Sequence, residues 1–136
     1  MLLWFLGQPV KGTHFGTNFG TEWMEKEGTS NICISFANGA LGYHFGTWGA
    51  RGSKLRYSFH AHCTEGMVEV DFDNGKMYLH KWDQKEPELL MEYKTGKHTD
   101  LEILHFIDCI NSGKKPLTDG ISSLQGLRVI WRLYEA

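Results

Sequence analysis

The sequence has no stripe of lysine and arginine, no long apolar run and no paired-cysteine motif. Each absence closes a class of function. Among 136 residues, Lys and Arg number 14 against 16 Asp and Glu, for a net charge of -2. Nucleic acid and anionic membrane are held chiefly by clustered cations, so neither is an expected partner. The apolar start, Met1 to Leu6, is far too short to span a bilayer. It also lacks the basic flank and small-residue cleavage site of a secretory signal. The three cysteines (Cys33, Cys63 and Cys109) are odd in number and widely spaced. That pattern favours reduced thiols in the cytoplasm over a disulfide framework. The chain is 41% hydrophobic and 22% charged, an ordinary globular composition. Its length suits one domain over residues 1–136, built around one core.

The patterning changes near residue 98. Before it, Gly, Thr, His and aromatics alternate with period two; after it, Leu and Ile recur at helical spacing. Strands first and helices last predict an α+β domain: an open, mostly antiparallel sheet of about six strands, with two C-terminal helices on one face. Ser30 to Ala37 and Ala40 to Trp48 flank Asn38-Gly39, a strong hairpin signal. Leu55 to Cys63 and Met67 to Phe72 form a second pair, and Asp73-Asn74-Gly75 leads into Met77 to Trp82. Val10 to Phe19 adds an edge strand, Gly20 to Thr29 reads as a loop, and the charged segment Asp83 to Lys97 has room for a short strand over Leu89 to Tyr93. The first helix carries a Thr99/Glu102 capping box, Gly113 at its end, and a core stripe of Ile103, Phe106, Ile107 and Ile110. Asp119 caps the second, whose buried face is predicted at Leu124, Leu127, Ile130, Trp131 and Tyr134. Trp4 and Trp131 read as packing residues. The "HFGT" segments at His14 to Thr17 and His44 to Thr47 are unequally spaced from "NFGT" and do not make a solenoid.

Alternation assigns two faces to each strand. Ile32, Ile34 and Phe36 oppose Cys33, Ser35 and Ala37. Leu41, Tyr43 and Phe45 oppose Gly42, His44 and Trp48. Leu55, Tyr57, Phe59, Ala61 and Cys63 oppose Arg56, Ser58, His60 and His62. The apolar sides suit the helices. The other side, with His44, Trp48, Arg56, His60 and His62, suits a partner surface or the wall of a polar ligand site. His60 and His62 form an H-x-H pair, but Cys63 projects to the opposite face. His44 or Asp71 could complete the set if the strands pair suitably, but a full zinc ligand set is not evident from spacing, and no metal residue is assigned. Trp48, Arg51 and Lys54 border the loop after the first hairpin, where Arg offers hydrogen-bond donors and Trp a flat apolar face.

The C-terminal run "HFIDCINSGKKPLTDGISSLQGLRVIWRLYEA" resembles the end of the Gfo/Idh/MocA oxidoreductases, relatives of glucose–fructose oxidoreductase and inositol dehydrogenase. "ISFANGALGYHFGTWGARGSK" is similar to that family's central hairpin, "TEGMVEVDF" to its next turn and strand, and "LLWFLGQPV" to the helix that enters its second domain. The resemblance covers essentially the whole chain. It implies an α+β domain that covers the substrate and associates through its open sheet face, in enzymes that move a hydride between a sugar or cyclitol and NAD or NADP. It also implies a homodimer or larger oligomer. The rest of the family pattern is missing from these residues. The glycines at 12, 16 and 20 are not G-x-G-x-x-G, and no E-K-P is present, since Glu25-Lys26 precedes Glu27 and Lys85-Glu86 precedes Pro87. The family's D-x-x-x-H segment would lie just upstream of Met1. The chain is thus expected to bind no cofactor, to hold no catalytic residue and to be inactive alone, with Trp48, Arg51, His44, Arg56, His60 and His62 as its candidate substrate-binding residues. The alternative is a free-standing binding or scaffold module of the same fold.

Overall fold

A computed structural model describes residues 1–54 and 56–136. The chain forms two compact units, one of residues 1–51 with 106–136, the other of residues 52–105. The α+β class expected from the patterning is what the structure shows: antiparallel strands first, two helices last. Among the described residues the strands number seven and hydrogen-bond as two ladders, of three and four strands. The break follows the third strand, where the link carries Gly49 and Gly52.

In the first unit, a short helix α1 (Leu2–Leu6) precedes β1 (Pro9–Thr17), β2 (Thr29–Phe36) and β3 (Leu41–Thr47). Asn38-Gly39 turns β2 into β3, with Gly39 at φ 85°, a conformation glycine adopts without steric cost. The register places His14, Ile32 and His44 in one cross-strand row, and Gly12, Ile34 and Gly42 in the next. The core lies on this side of the sheet: Ile34, Phe36 and Leu133 are buried, with Leu2, Leu6 and Val129 packed against them. Two strand glycines permit the close approach. A Cβ at Gly12 would stand 2.6 Å from Leu133 Cδ2, and one at Gly42 would stand 2.8 Å from Phe36 Cε2.

This register reverses one expectation. Leu41, Tyr43 and Phe45 do not face the helices; they share the opposite side with Cys33 and Ser35 and are 74%, 63% and 49% exposed. The helix-facing side of β3 is Gly42, His44 and Gly46, because β2 puts Ile32 and Ile34 opposite the even-numbered positions.

The helix stripes differ as well. In α3 (Gly120–Glu135) the residues turned inward are Gly126, Val129 and Leu133, at i, i+3 and i+7. Leu124, Leu127, Ile130, Trp131 and Tyr134 remain exposed. Val129 and Leu133 make the core contact, and a Cβ at Gly126 would meet nothing within 4 Å. Along α2 (Thr99–Ser112) only Cys109 is buried, and Ile103, Phe106, Ile107 and Ile110 are exposed. Thr99 is already the first helical residue, preceded by His98, whose carbonyl accepts Leu101 N–H. Trp4 and Trp131, read as packing residues, are 63% and 54% exposed. The Asp119 cap is present: its carboxylate accepts Ser122 N–H at 2.8 Å.

The second unit holds β4 (Ser58–Cys63), β5 (Gly66–Asp71), β6 (Lys76–Lys81) and β7 (Glu88–Glu92) in sequence order. Leu55, predicted to open the first of these strands, lies outside the described residues. One face carries Phe59, Val68, Val70, Met77 and Leu79, each half-buried. Tyr57 and Cys63 were expected inward with Phe59, but Tyr57 precedes the strand and is 69% exposed, and Cys63 is exposed at its end. Asp71 is buried where it caps the turn into β6, accepting both the N–H and the side-chain amide of Asn74.

Candidate functional site

The first unit holds three of the six candidate residues, Trp48 and Arg51 at one end of the sheet and His44 within β3. The loop of residues 18–28 and the turn after β3 are pinned together by Thr21, which is 1% exposed. A Cβ at Gly28 would fall onto the Thr21 side chain, and one at Gly49 would meet its Cγ2 at 3.2 Å. Thr21 Oγ1 donates to Asn18 O, and Trp48 N–H donates to Gly28 O. Thr47 Oγ1 accepts the N–H groups of Gly49 and Ala50 and meets Thr29 Oγ1 at 2.7 Å. The two loops are therefore one rigid patch, glycine and threonine below, aromatics above. Trp48 and Trp23 stand out from it, 73% and 77% exposed. The Arg51 guanidinium folds back on Trp48 O and Gly49 O. His44 lies farther down β3, exposed, with its ring over Gly46.

The same unit holds a cluster that the sequence did not reveal. Tyr134 OH donates to Glu27 Oε1, and His14 Nε2 stands 3.9 Å from that oxygen and 3.0 Å from Ser30 Oγ. The His14 and Tyr134 rings meet edge-on at 4.7 Å. The tyrosine hydrogen bond, aided by His14, holds the Glu27 carboxyl below its usual range and pushes the Tyr134 phenol up. This cluster ties the last turn of α3 to β1 and the long loop. Its one sequence signal is the twin "HFGT": the two segments are in register on either side of β2, so His14 and His44 flank Ile32.

The other three candidates lie in the second unit, on the face of its sheet opposite Phe59 and Val68. His60 and His62 are exposed on β4, their rings perpendicular and 6.5 Å apart. His60 is paired across the strands with Glu69 and His62 with Met67. On β6, Tyr78 and His80 complete the same two rows, and His80 Nε2 meets Glu69 Oε2 at 2.9 Å. Arg56 stands just before the strand, 3.5 Å from Asp73, with most of its side chain in water. No three His, Cys, Asp or Glu side chains among the described residues are drawn together as a metal cage.

The starts of the two C-terminal helices carry carboxylates. Pyrophosphate is bound by free N–H groups at a helix N-terminus. Here α3 starts on the Asp119 carboxylate, and the first turn of α2 carries Asp100 and Glu102. Lys115 lies 2.6 Å from Asp119 and neutralises the cap locally. No helix among the described residues is long and apolar enough to cross a membrane.

No family model and no curated protein matches the sequence. Solved structures do. The UDP-N-acetylglucosamine 3-dehydrogenase GnnA from Acidithiobacillus ferrooxidans superposes with a TM-score of 0.80 at 16% identity, over 95% of this chain and 40% of its own. The fold is the same. Aldose-aldose oxidoreductase from Caulobacter crescentus matches at TM-score 0.75 and 21% identity, over 95% of this chain and 39% of that one. The WlbA dehydrogenase from Bordetella pertussis, whose structure contains NADH and UDP-GlcNAcA, matches at 0.70 and 20%, over 98% and 39%. The chain thus spans about two fifths of the length of the sugar oxidoreductases whose fold it shares.

Proposed function

We propose that these 136 residues are the C-terminal, substrate-covering and oligomerising portion of an NAD- or NADP-dependent sugar or cyclitol oxidoreductase of the cytoplasm. The observation that carries the reading is the fold match: nearly all of this chain superposes on a part, and only a part, of such enzymes. Cofactor binding and proton transfer belong to a nucleotide-binding half with the G-x-G-x-x-G and E-K-P motifs that these residues do not contain. In the first unit, Trp48 offers a flat face to a sugar ring and Arg51 a guanidinium to hydroxyls or a carboxylate, with His44 on the adjoining strand. In the second, Arg56, His60 and His62 turn a polar face to substrate or to a second subunit.

Surface area supports a covered rather than a solitary existence. The chain exposes 11112 Å². A compact monomer of 15.6 kDa exposes about 7,200 Å², and even two separate compact bodies of these sizes expose only about 8,700 Å². The excess includes the open side of the first sheet, where Phe15, Tyr43, Phe45 and Leu41 lie in adjacent rows. Such a face suits an interface with a second copy.

The gene upstream of Met1 tests the reading. A frame that continues into a dinucleotide fingerprint and E-K-P is expected. An in-frame stop with a ribosome site overturns the enzyme in favour of a free-standing module. A second test is NAD(H) titration of the 136-residue chain, where saturable binding contradicts the assignment of the cofactor site to other residues.

A further inference from the structure

The last turn of α3 reaches the long loop at Glu27, next in sequence to the glycine on which the Trp48 backbone is held. We propose that Tyr134 is a positioning residue for the Trp48 patch, setting the Trp48 backbone through Glu27 and Gly28. That the patch meets a sugar rests on the function proposed above; the coupling does not.

Two adjacent residues carry the link. Tyr134 OH donates to Glu27 Oε1, and the Glu27 side chain crosses β1 at Gly16, where an added Cβ would stand 2.9 Å from Glu27 Cβ. His14 flanks it, with Nε2 3.9 Å from the same carboxylate oxygen and its ring edge-on to Tyr134. The Glu27 side chain is therefore only 16% exposed, fixed by partners on β1 and α3. Gly28 follows directly. Its N–H donates to Thr17 O at 3.1 Å, and its carbonyl accepts Trp48 N–H at 2.8 Å. Trp48 O in turn accepts the Arg51 guanidinium at 3.3 Å.

The path has little slack. Gly28 is buried, and a Cβ there would fall onto the buried Thr21 side chain. Groups packed this closely transmit a displacement rather than absorb it. A shift of Glu27 thus moves Gly28, and with it the carbonyl to which Trp48 is bonded. Without the phenol, the carboxylate loses its partner on α3 and the segment opens more readily.

Amide hydrogen exchange of the 136-residue chain, read by NMR with no ligand present, tests the coupling apart from any sugar. In Tyr134→Phe the Trp48 and Gly28 N–H groups should exchange about fivefold faster, the weight of one net hydrogen bond. Gly39 N–H, bonded to Phe36 O in the turn between β2 and β3, is the control and should keep its rate. Glu27→Ala should match Tyr134→Phe, and the two together should go no further than either alone. Glu27→Gln should stay near the wild-type rates, because its amide oxygen still accepts the phenol. Circular dichroism should show every variant folded. Trp48 and Gly28 rates that stay at the wild-type value in folded Tyr134→Phe or Glu27→Ala overturn the proposal. So does an equal acceleration at Gly39.

Discussion

The two sheets are built alike, from antiparallel hairpins with short turns, yet they are stabilised differently. The three-stranded sheet closes one face with helices and buries Ile34, Phe36 and Leu133 there. The four-stranded sheet contributes no fully buried apolar side chain among the described residues; Val68, Val70 and Leu79 are only half-covered. In the first unit, Gly12 and Gly42 remove a Cβ where Leu133 and Phe36 arrive.

That contrast can be broken by mutation. Phe36→Ala removes a core ring that is 3% exposed and should cost about 3–5 kcal/mol in denaturant unfolding. Val70→Ala, half-buried in the second sheet, should cost about 1 kcal/mol. Equal losses at the two positions would erase the distinction. Gly28→Ala places a methyl group on Thr21 and should cost about 1–3 kcal/mol, loosening the Trp48 patch with it. Retention of full stability there would show that the two loops are not pinned.

Tyr134→Phe keeps the ring but deletes the hydrogen bond to Glu27, for a loss of about 1 kcal/mol. Gly126→Ala goes the other way. A Cβ there meets nothing within 4 Å, so the gain in helix propensity should raise stability by up to about 1 kcal/mol. Acid adds a graded test common to both units. Glu27, Asp71 and Asp119 are held below their ordinary values of 4.5, 3.8 and 3.8, by Tyr134, by Asn74, and by Lys115 with Ser122. Each favours the folded state while ionised. Their contribution is whole above those ordinary values and drains away as the pH falls below them, which an acid titration of unfolding midpoints should follow.

The local signals were legible from the chain. Asn38-Gly39 turned β2 into β3, and Asp119 capped α3, because both depend on neighbours within a few residues. The longer-range choices were not. Periodicity marked Leu124, Leu127 and Ile130 as the apolar stripe of α3, but Val129 and Leu133 made the contact, Leu133 arriving where Gly12 carries no Cβ. The sidedness of β3 followed from pairing with β2, which alternation alone does not specify. Glu27 and Tyr134 are 107 residues apart, and no local pattern joins them. Of the candidate site, the fold brings Trp48 and Arg51 into one patch and His60 and His62 onto one face; Glu69 and His80 became their neighbours only through register.

The central claim is that this chain is a covered portion of a larger enzyme assembly, whose open sheet face meets a second copy. Sedimentation of the 136-residue chain across a wide concentration range tests it most directly, with Phe45→Glu as the companion on that face. The account predicts a dimer or larger species that the glutamate variant reduces to monomer. A wild-type chain that stays monomeric at the highest concentration, or a variant that associates just as strongly, would contradict it.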